Sequence, residues 1–176
     1  MSFEQAVSLS QILGALAVWA SLLFIGFQIR QNTRSQRVVA VSSLAAAIAA
    51  INVPAMQSPA LGEALSKATR DWGSATREQR ILAHYFLFSY FKLGENAWYQ
   101  HKSGALDATQ WAGWQTPLRA FYHSPGVQNA WWPRRRHAFA PEFQAHLAAL
   151  PLAPEEMRNL DDLFDDPAGH ARQSAA

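Results

Sequence analysis

Between Gln5 and Ile29 the chain carries no charged residue, and from Ile12 to Phe27 it is almost continuously apolar and free of proline. No other feature restricts the fold as much, because such a run must be covered either by protein or by lipid. As a helix, Ile12 to Ile29 would span roughly 27 Å at ~1.5 Å per residue, against a hydrocarbon core ~30 Å thick. Three readings compete. A cleaved signal peptide needs a basic start and a small-residue cleavage site; here the start carries only Glu4 and the run leads into Gln28-Ile29-Arg30. A buried helix of a soluble core is the plainer alternative, since the span is short and holds Gly14 and Ser21. We favour a transmembrane anchor.

Arg30, Arg34 and Arg37 follow at spacings of four and three, which puts all three on one helical face. Long cationic side chains just past an apolar span can snorkel to phosphate headgroups, and these three are the expected membrane-interface residues. The flank before the span has no Lys or Arg. The positive-inside bias therefore predicts an external N-terminus and a cytoplasmic remainder of 147 residues. Within the span, Ser10, Gly14, Ala17, Ser21 and Gln28 fall near one stripe. Such a stripe fits a helix-packing seam for self-association or for a partner helix. Small residues are also common in membrane spans for no such reason, and the sequence does not choose between the two.

Charge divides the chain further. Residues 1–57 have a net charge of +2, residues 58–150 of +4 and residues 151–176 of −4. Four zones are expected: an anchor over 1–30, a juxtamembrane helix with a basic collar over 31–57, a helical bundle over 58–150, and an acidic, partly disordered tail over 151–176. The overall charge of +2 is too small to point to nucleic acid, and no nucleic-acid partner is expected. Cysteine is absent, which excludes disulfides, thiolate zinc sites and cysteine nucleophiles.

The stretches Gly14-Ala15-Leu16-Ala17-Val18 and Gln28-Ile29-Arg30-Gln31-Asn32-Thr33-Arg34, with Glu95-Asn96-Ala97-Trp98-Tyr99-Gln100-His101, Ser124-Pro125-Gly126, Trp131-Trp132 and Pro141-Glu142-Phe143 further on, carry a resemblance. In this order they resemble a group of uncharacterised bacterial single-span membrane proteins, in which a span ends in a Gln-Ile-Arg-Gln-Asn-Thr-Arg collar and a cytoplasmic helical domain comes after it. The resemblance covers roughly residues 10–150. It departs at Ala140, where the group usually has a helix-capping Ser, and in the Ala-rich stretch 44–50. It implies a single-pass protein of the bacterial inner membrane, and supports topology and fold only.

The body reads as all-α. Val38 to Val53 has high helix propensity and no charge, and is expected to continue the first helix up to Pro54 rather than to cross a membrane again. Ser58-Pro59 reads as a helix start, and so does Ser124-Pro125; Thr76 with Gln79, and Asp107 with Gln110, read as capping boxes. Gly73, Ser103-Gly104 and Pro133 read as stops. No alternating pattern with hairpin turns occurs. The result expected is a bundle of four to five helices. Its central helix, about 76–102, would turn Ile81, Tyr85, Phe88, Phe91 or Lys92, Glu95 and Trp98 to one side, with Trp111, Trp114, Leu118 and Phe121 or Tyr122 facing them from the next.

Candidate chemistry is sparse. Glu95 interrupts the apolar helix near Tyr99 and His101, and these three form a candidate buried polar site. Glu95 is expected first as a structural partner, for instance of Arg119. Six histidines stand singly, with no metal-ligand spacing, no phosphate loop and no nucleophile elbow. No catalytic residue, metal ligand or cofactor is therefore assigned. Trp131-Trp132-Pro133-Arg134-Arg135-Arg136-His137 is the densest cluster. Trp131, Trp132, Arg134, Arg135 and Arg136 form a candidate patch for anionic lipid or an acidic partner; equally, the Trp pair could be core and the arginines solvated. The expected function is a membrane-anchored interaction or accessory module, with the lipid bilayer as its first partner. The alternative is a membrane-tethered enzyme or small-ligand binder using Glu95, Tyr99 and His101.

Overall fold

The computed structural model describes residues 3–153, all of whose regular elements are helical. The acidic stretch 154–176 lies outside the described residues. In chain order the elements are α1 (Phe3–Met56), α2 (Pro59–Arg70), α3 (Arg77–Lys102), α4 (Ala108–His123), a π-helical turn (Val127–Trp131), α5 (Trp132–Arg135), a 3-10 turn (Arg136–Ala138) and α6 (Pro141–Ala148). The protein is a long apolar N-terminal helix followed by a helical domain.

The chain divides into two units at Val41/Ser42, within the expected juxtamembrane zone of 31–57. From Leu16 to Val39 the large apolar side chains stand open: Trp19 is 66% and Leu23 73% exposed, and Arg30, Arg34 and Arg37 are exposed after them. Residues 42–56 group with the second unit, where Leu44 is buried. The helix also outruns Pro54, which sits inside its last turn, and stops at Met56. Proline removes one hydrogen bond but does not prevent a final partial turn; Gln57 and Ser58 close it by donating to the Pro54 and Ala55 carbonyls.

In the second unit the local start signals act as their chemistry requires. The Ser58 hydroxyl accepts from the Leu61 N–H, and Thr76/Gln79 and Asp107/Gln110 form reciprocal capping boxes. Ser103 caps α3, and Gly104 takes the left-handed conformation (φ 76°) that releases the chain toward α4. A helical stretch does begin at Pro125, with the Ser124 carbonyl accepting from the Val127 and Gln128 N–H groups, but the Ser124 hydroxyl departs from its expected role: it donates back to the Phe121 carbonyl (2.7 Å) at the end of α4 instead of capping the new stretch. Pro133 is not a stop either. It lies within α5, and the chain opens into the wider π pattern just before it, where Trp132 N–H donates to the Val127 carbonyl. A proline ring pushes away the carbonyl four residues back, here Asn129, and the π turn makes that room.

Helices α2 and α4 both pack on α3. Gly94 lets Leu118 of α4 approach closely, since a Cβ there would meet its Cδ1 at 2.9 Å. The core is aromatic: Phe91, Trp131, Trp132, Phe139 and Phe143 are all buried, with neighbouring ring centroids 5.1–6.3 Å apart. Burying such rings supplies a few kcal/mol each by area alone.

Candidate functional site: an arginine-lined cleft

α3 does not stay in the core along its whole length. From Leu87 to Trp98 its apolar face is covered, whereas Ile81 and Leu82 are about 40% exposed and Tyr85 is 67% exposed. The central-helix expectation thus holds for the second half of α3 and fails for Ile81 and Tyr85. These two residues form one wall of a cleft of about 360 Å³, together with Trp72 from the turn before α3. The opposite side comes from the π turn and α5, which contribute Trp131, Arg134 and Arg135; Arg77 and Arg80 project from the first turns of α3. Spacings of three and four place Arg77, Arg80, Ile81, His84 and Tyr85 on one helical face.

Four arginines therefore line one concavity, and among the described residues no acidic side chain does. Arg134 is braced by the π turn before it, donating from Nη1 to the Ala130 carbonyl (2.6 Å). Among the described residues, no hydrogen bond or ion pair holds the side chains of Arg77, Arg80 or Arg135. His84 forms the floor. Its Nδ1 accepts from the Trp131 indole N–H (3.1 Å), and an indole can only donate, so the ring proton is on Nε2. Desolvation first, and the Arg135 charge second, hold the His84 pKa below its ordinary value. At the mouth of α3, the Glu78 carboxyl is held low by a backbone hydrogen bond and by Thr76, with Arg77 and Arg80 adding to this. A carboxyl and an imidazole thus both respond to the positive charge gathered there.

The Trp-Arg cluster is divided by the fold. Trp131 is almost wholly buried yet reaches the cleft, while Trp132 belongs to the core, edge-on to Tyr122 and 5.1 Å from the Phe139 ring. Arg134 and Arg135 enter the cleft; Arg136 does not, and its charge acts instead on Tyr122, opposing the rise that burial imposes on that phenol.

Glu95, Tyr99 and His101 are not brought together. Glu95 is buried and clamps the entry to α6: Oε1 accepts from the Ala140 N–H (2.7 Å) and Oε2 pairs with Lys92 Nζ (2.7 Å). Lys92 also donates to the Ala138 carbonyl (2.6 Å) and sits 4.6 Å from the Phe139 ring centroid. The partner of Glu95 is therefore Lys92, one turn earlier on the same face, and not Arg119. Glu95 thus satisfies the N–H of the N-cap residue Ala140, the place an N3 side chain takes in a capping box, while no side chain caps the first turn of α6. Tyr99 is 41% exposed beside Trp98, and His101 stacks on Trp111 while its Nδ1 donates to the Leu106 carbonyl (3.1 Å).

Along the proposed seam, Gly14, Ala17, Ser21 and Gln28 are exposed; the side chain of Ser10 lies outside the described set. Nothing lies within 4 Å of a Cβ built at Gly14, and the Ser21 hydroxyl donates to the Ala17 carbonyl of its own helix (2.8 Å).

Comparison with family models, with curated proteins and with solved structures found no match.

Proposed function

We propose that this protein is a single-span, membrane-anchored helical interaction module, oriented with its N-terminus outside and its helical domain in the cytoplasm of a bacterium. The observation that carries this reading is the exposed apolar surface of α1. Across Leu16–Ile29 the large side chains are open, no charge interrupts them, and an arginine collar follows at once. Soluble proteins rarely leave so continuous an apolar surface uncovered, whereas lipid covers it and leaves Arg30, Arg34 and Arg37 for the headgroups. The exposed stripe of Gly14, Ala17, Ser21 and Gln28 suits a second helix in the same bilayer. An interaction role is favoured over catalysis because Glu95, the buried carboxylate, is committed to Lys92 and the start of α6.

The test is membrane extraction with a reporter fused to the C-terminus. The protein is expected in the carbonate-resistant pellet, with a reporter active in the cytoplasm. A periplasmic reporter signal would overturn the orientation, and release by carbonate would overturn the anchor. Neutralising Arg30, Arg34 and Arg37 together should leave insertion intact and make the orientation mixed.

A further inference from the structure

We infer that the cleft between the first turns of α3 and the segment Trp131–Arg135 is a binding site for a phosphoryl anion joined to a planar or apolar group. Four arginines line it, and among the described residues no acidic side chain does. Side chains as long as arginine can splay apart to relieve repulsion, and converging them is favourable once a multiply charged anion sits between. Guanidinium is the group suited to that anion, because its fork of donors matches two phosphoryl oxygens at once. His84 adds a neutral donor: with Nδ1 engaged by Trp131, the Nε2–H is left for a ligand oxygen.

The rest of the lining selects more than charge. Trp72, Ile81 and Tyr85 give the cleft an apolar wall, and Ile81 and Tyr85 stay exposed in a domain whose other aromatic rings are largely packed together. Trp, Tyr and Arg are the residues in which binding energy concentrates. The volume, about 360 Å³, falls in the ordinary range for small-molecule sites. Free phosphate would leave this wall unused. A phosphorylated compound with a planar ring would use it, and so would an anionic phospholipid headgroup with the first carbons of its chains. The phosphoryl chemistry is common to both sources. Only the lipid source rests on the membrane anchoring proposed above.

The experiment uses the full-length protein. In a neutral detergent, which keeps the chain dissolved whether or not α1 spans a bilayer, it is titrated by calorimetry with pyrophosphate and with adenosine diphosphate. In micelles doped with phosphatidylglycerol, native mass spectrometry counts retained lipid. For the soluble source, saturable binding is expected, tighter for the diphosphate that carries a ring. Affinity should fall about tenfold or more in Arg80→Gln/Arg135→Gln, because each loses charge-assisted bonds, and should hold in Arg136→Gln, which lies outside the cleft. Arg80→Lys/Arg135→Lys keeps the charge and loses the fork, and should fall in between. For the lipid source, retained phosphatidylglycerol should drop in the first double variant and not in Arg136→Gln. Binding that falls equally in Arg136→Gln would reduce the site to general basic attraction and overturn the proposal, as would no binding in either arm. Equal affinity for the two soluble probes would overturn the role of the apolar wall. The soluble titration gives its answer whether or not α1 proves to span a membrane, so the two readings can fail separately.

Discussion

Two parts of this protein leave large apolar side chains uncovered, and they differ in what stands beside them. Along α1, Trp19, Leu22, Leu23 and Phe24 are exposed with no charged residue from Gln5 to Ile29. At the start of α3, Ile81 and Tyr85 are exposed among four arginines. Apolar exposure alone does not identify what covers a surface. Hydrocarbon rejects charge, so a lipid-facing surface must be stripped of it; a small charged ligand demands it, so a ligand-facing surface mixes apolar walls with a few fixed charges. The first surface is continuous and featureless in charge. The second is small, concave and charged.

Introducing charge should separate the two most sharply. Leu22→Arg/Leu23→Arg places two charges near the middle of the apolar run, where each costs ~2.5–3.5 kcal/mol in a bilayer. Leu22 and Leu23 are 56% and 73% exposed, so little packing is lost by the change itself. Most of the protein should move from the carbonate pellet to the supernatant, with pyrophosphate affinity unchanged. Ile81→Arg is the matching substitution on the other surface, and it should leave the pellet fraction unaltered. A double-arginine variant that stays in the pellet would break the contrast.

Gly126→Ala probes the second surface from behind. A Cβ at Gly126 would collide with the Ala68 carbonyl oxygen and lie 2.9 Å from that of Thr69, both backbone atoms at the end of α2. Neither can swing aside, so the π turn that carries Trp131 toward His84 must shift. Overpacking of this kind costs about 1–3 kcal/mol, or a fall in Tm of roughly 4–12 °C for a domain this size. Calorimetry should show that fall together with weaker pyrophosphate binding, because Arg134 and Arg135 ride on the displaced segment. Carbonate extraction should be unaffected.

The same contrast marks how far the sequence could be read. The caps at Ser58, Thr76 and Asp107 were legible because donor and acceptor lie within three residues of each other. Ser124 offers the same local pattern, yet its hydroxyl has a competing carbonyl one turn back and takes it. Pro133 looks like a stop only while the i, i+4 ladder is assumed; the π turn removes the conflict. The apolar run of α1 was legible because lipid-sized length and missing charge are properties of contiguous residues. The cleft was only half legible. Arg134 and Arg135 stood out as neighbours in sequence, but Arg77 and Arg80 lie more than fifty positions earlier and join them only through packing. Their Arg-x-x-Arg spacing opposite a Trp-Arg run was the available signal. Periodicity assigned Ile81 and Tyr85 to a core face correctly as a face, but it says nothing about where the covering helices end.

The smallest expected effect is a pH dependence at the floor of the cleft. His84 sits against Trp131, Tyr85 and Phe88, with Arg77, Arg80, Arg134 and Arg135 around the same concavity. Desolvation, then Arg135, lower its pKa in the folded protein. The folded state therefore binds the proton less readily than the unfolded chain, whose histidines titrate near ~6.5. Stability from this group is fully present above that value and is lost as pH falls through it toward the lower folded value. Protonation also removes the lone pair on Nδ1 that accepts from the Trp131 indole, so the bond between π turn and α3 breaks in the same window. His146 is shifted in the same direction, by desolvation and then by His101, and contributes its own share of the slope. Thermal unfolding of wild type and His84→Gln from pH 7.5 down to 5 separates them: the variant should lose part of the slope and keep the part due to His146. A bound phosphoryl anion adds negative charge beside His84 and favours its protonated form. Saturating pyrophosphate should therefore raise the His84 pKa, read from its ring-proton shifts, and leave that of His146 in place. An unchanged His84 titration with pyrophosphate bound would place the anion elsewhere on the domain and dissolve the distinction between a lipid-facing and a ligand-facing surface.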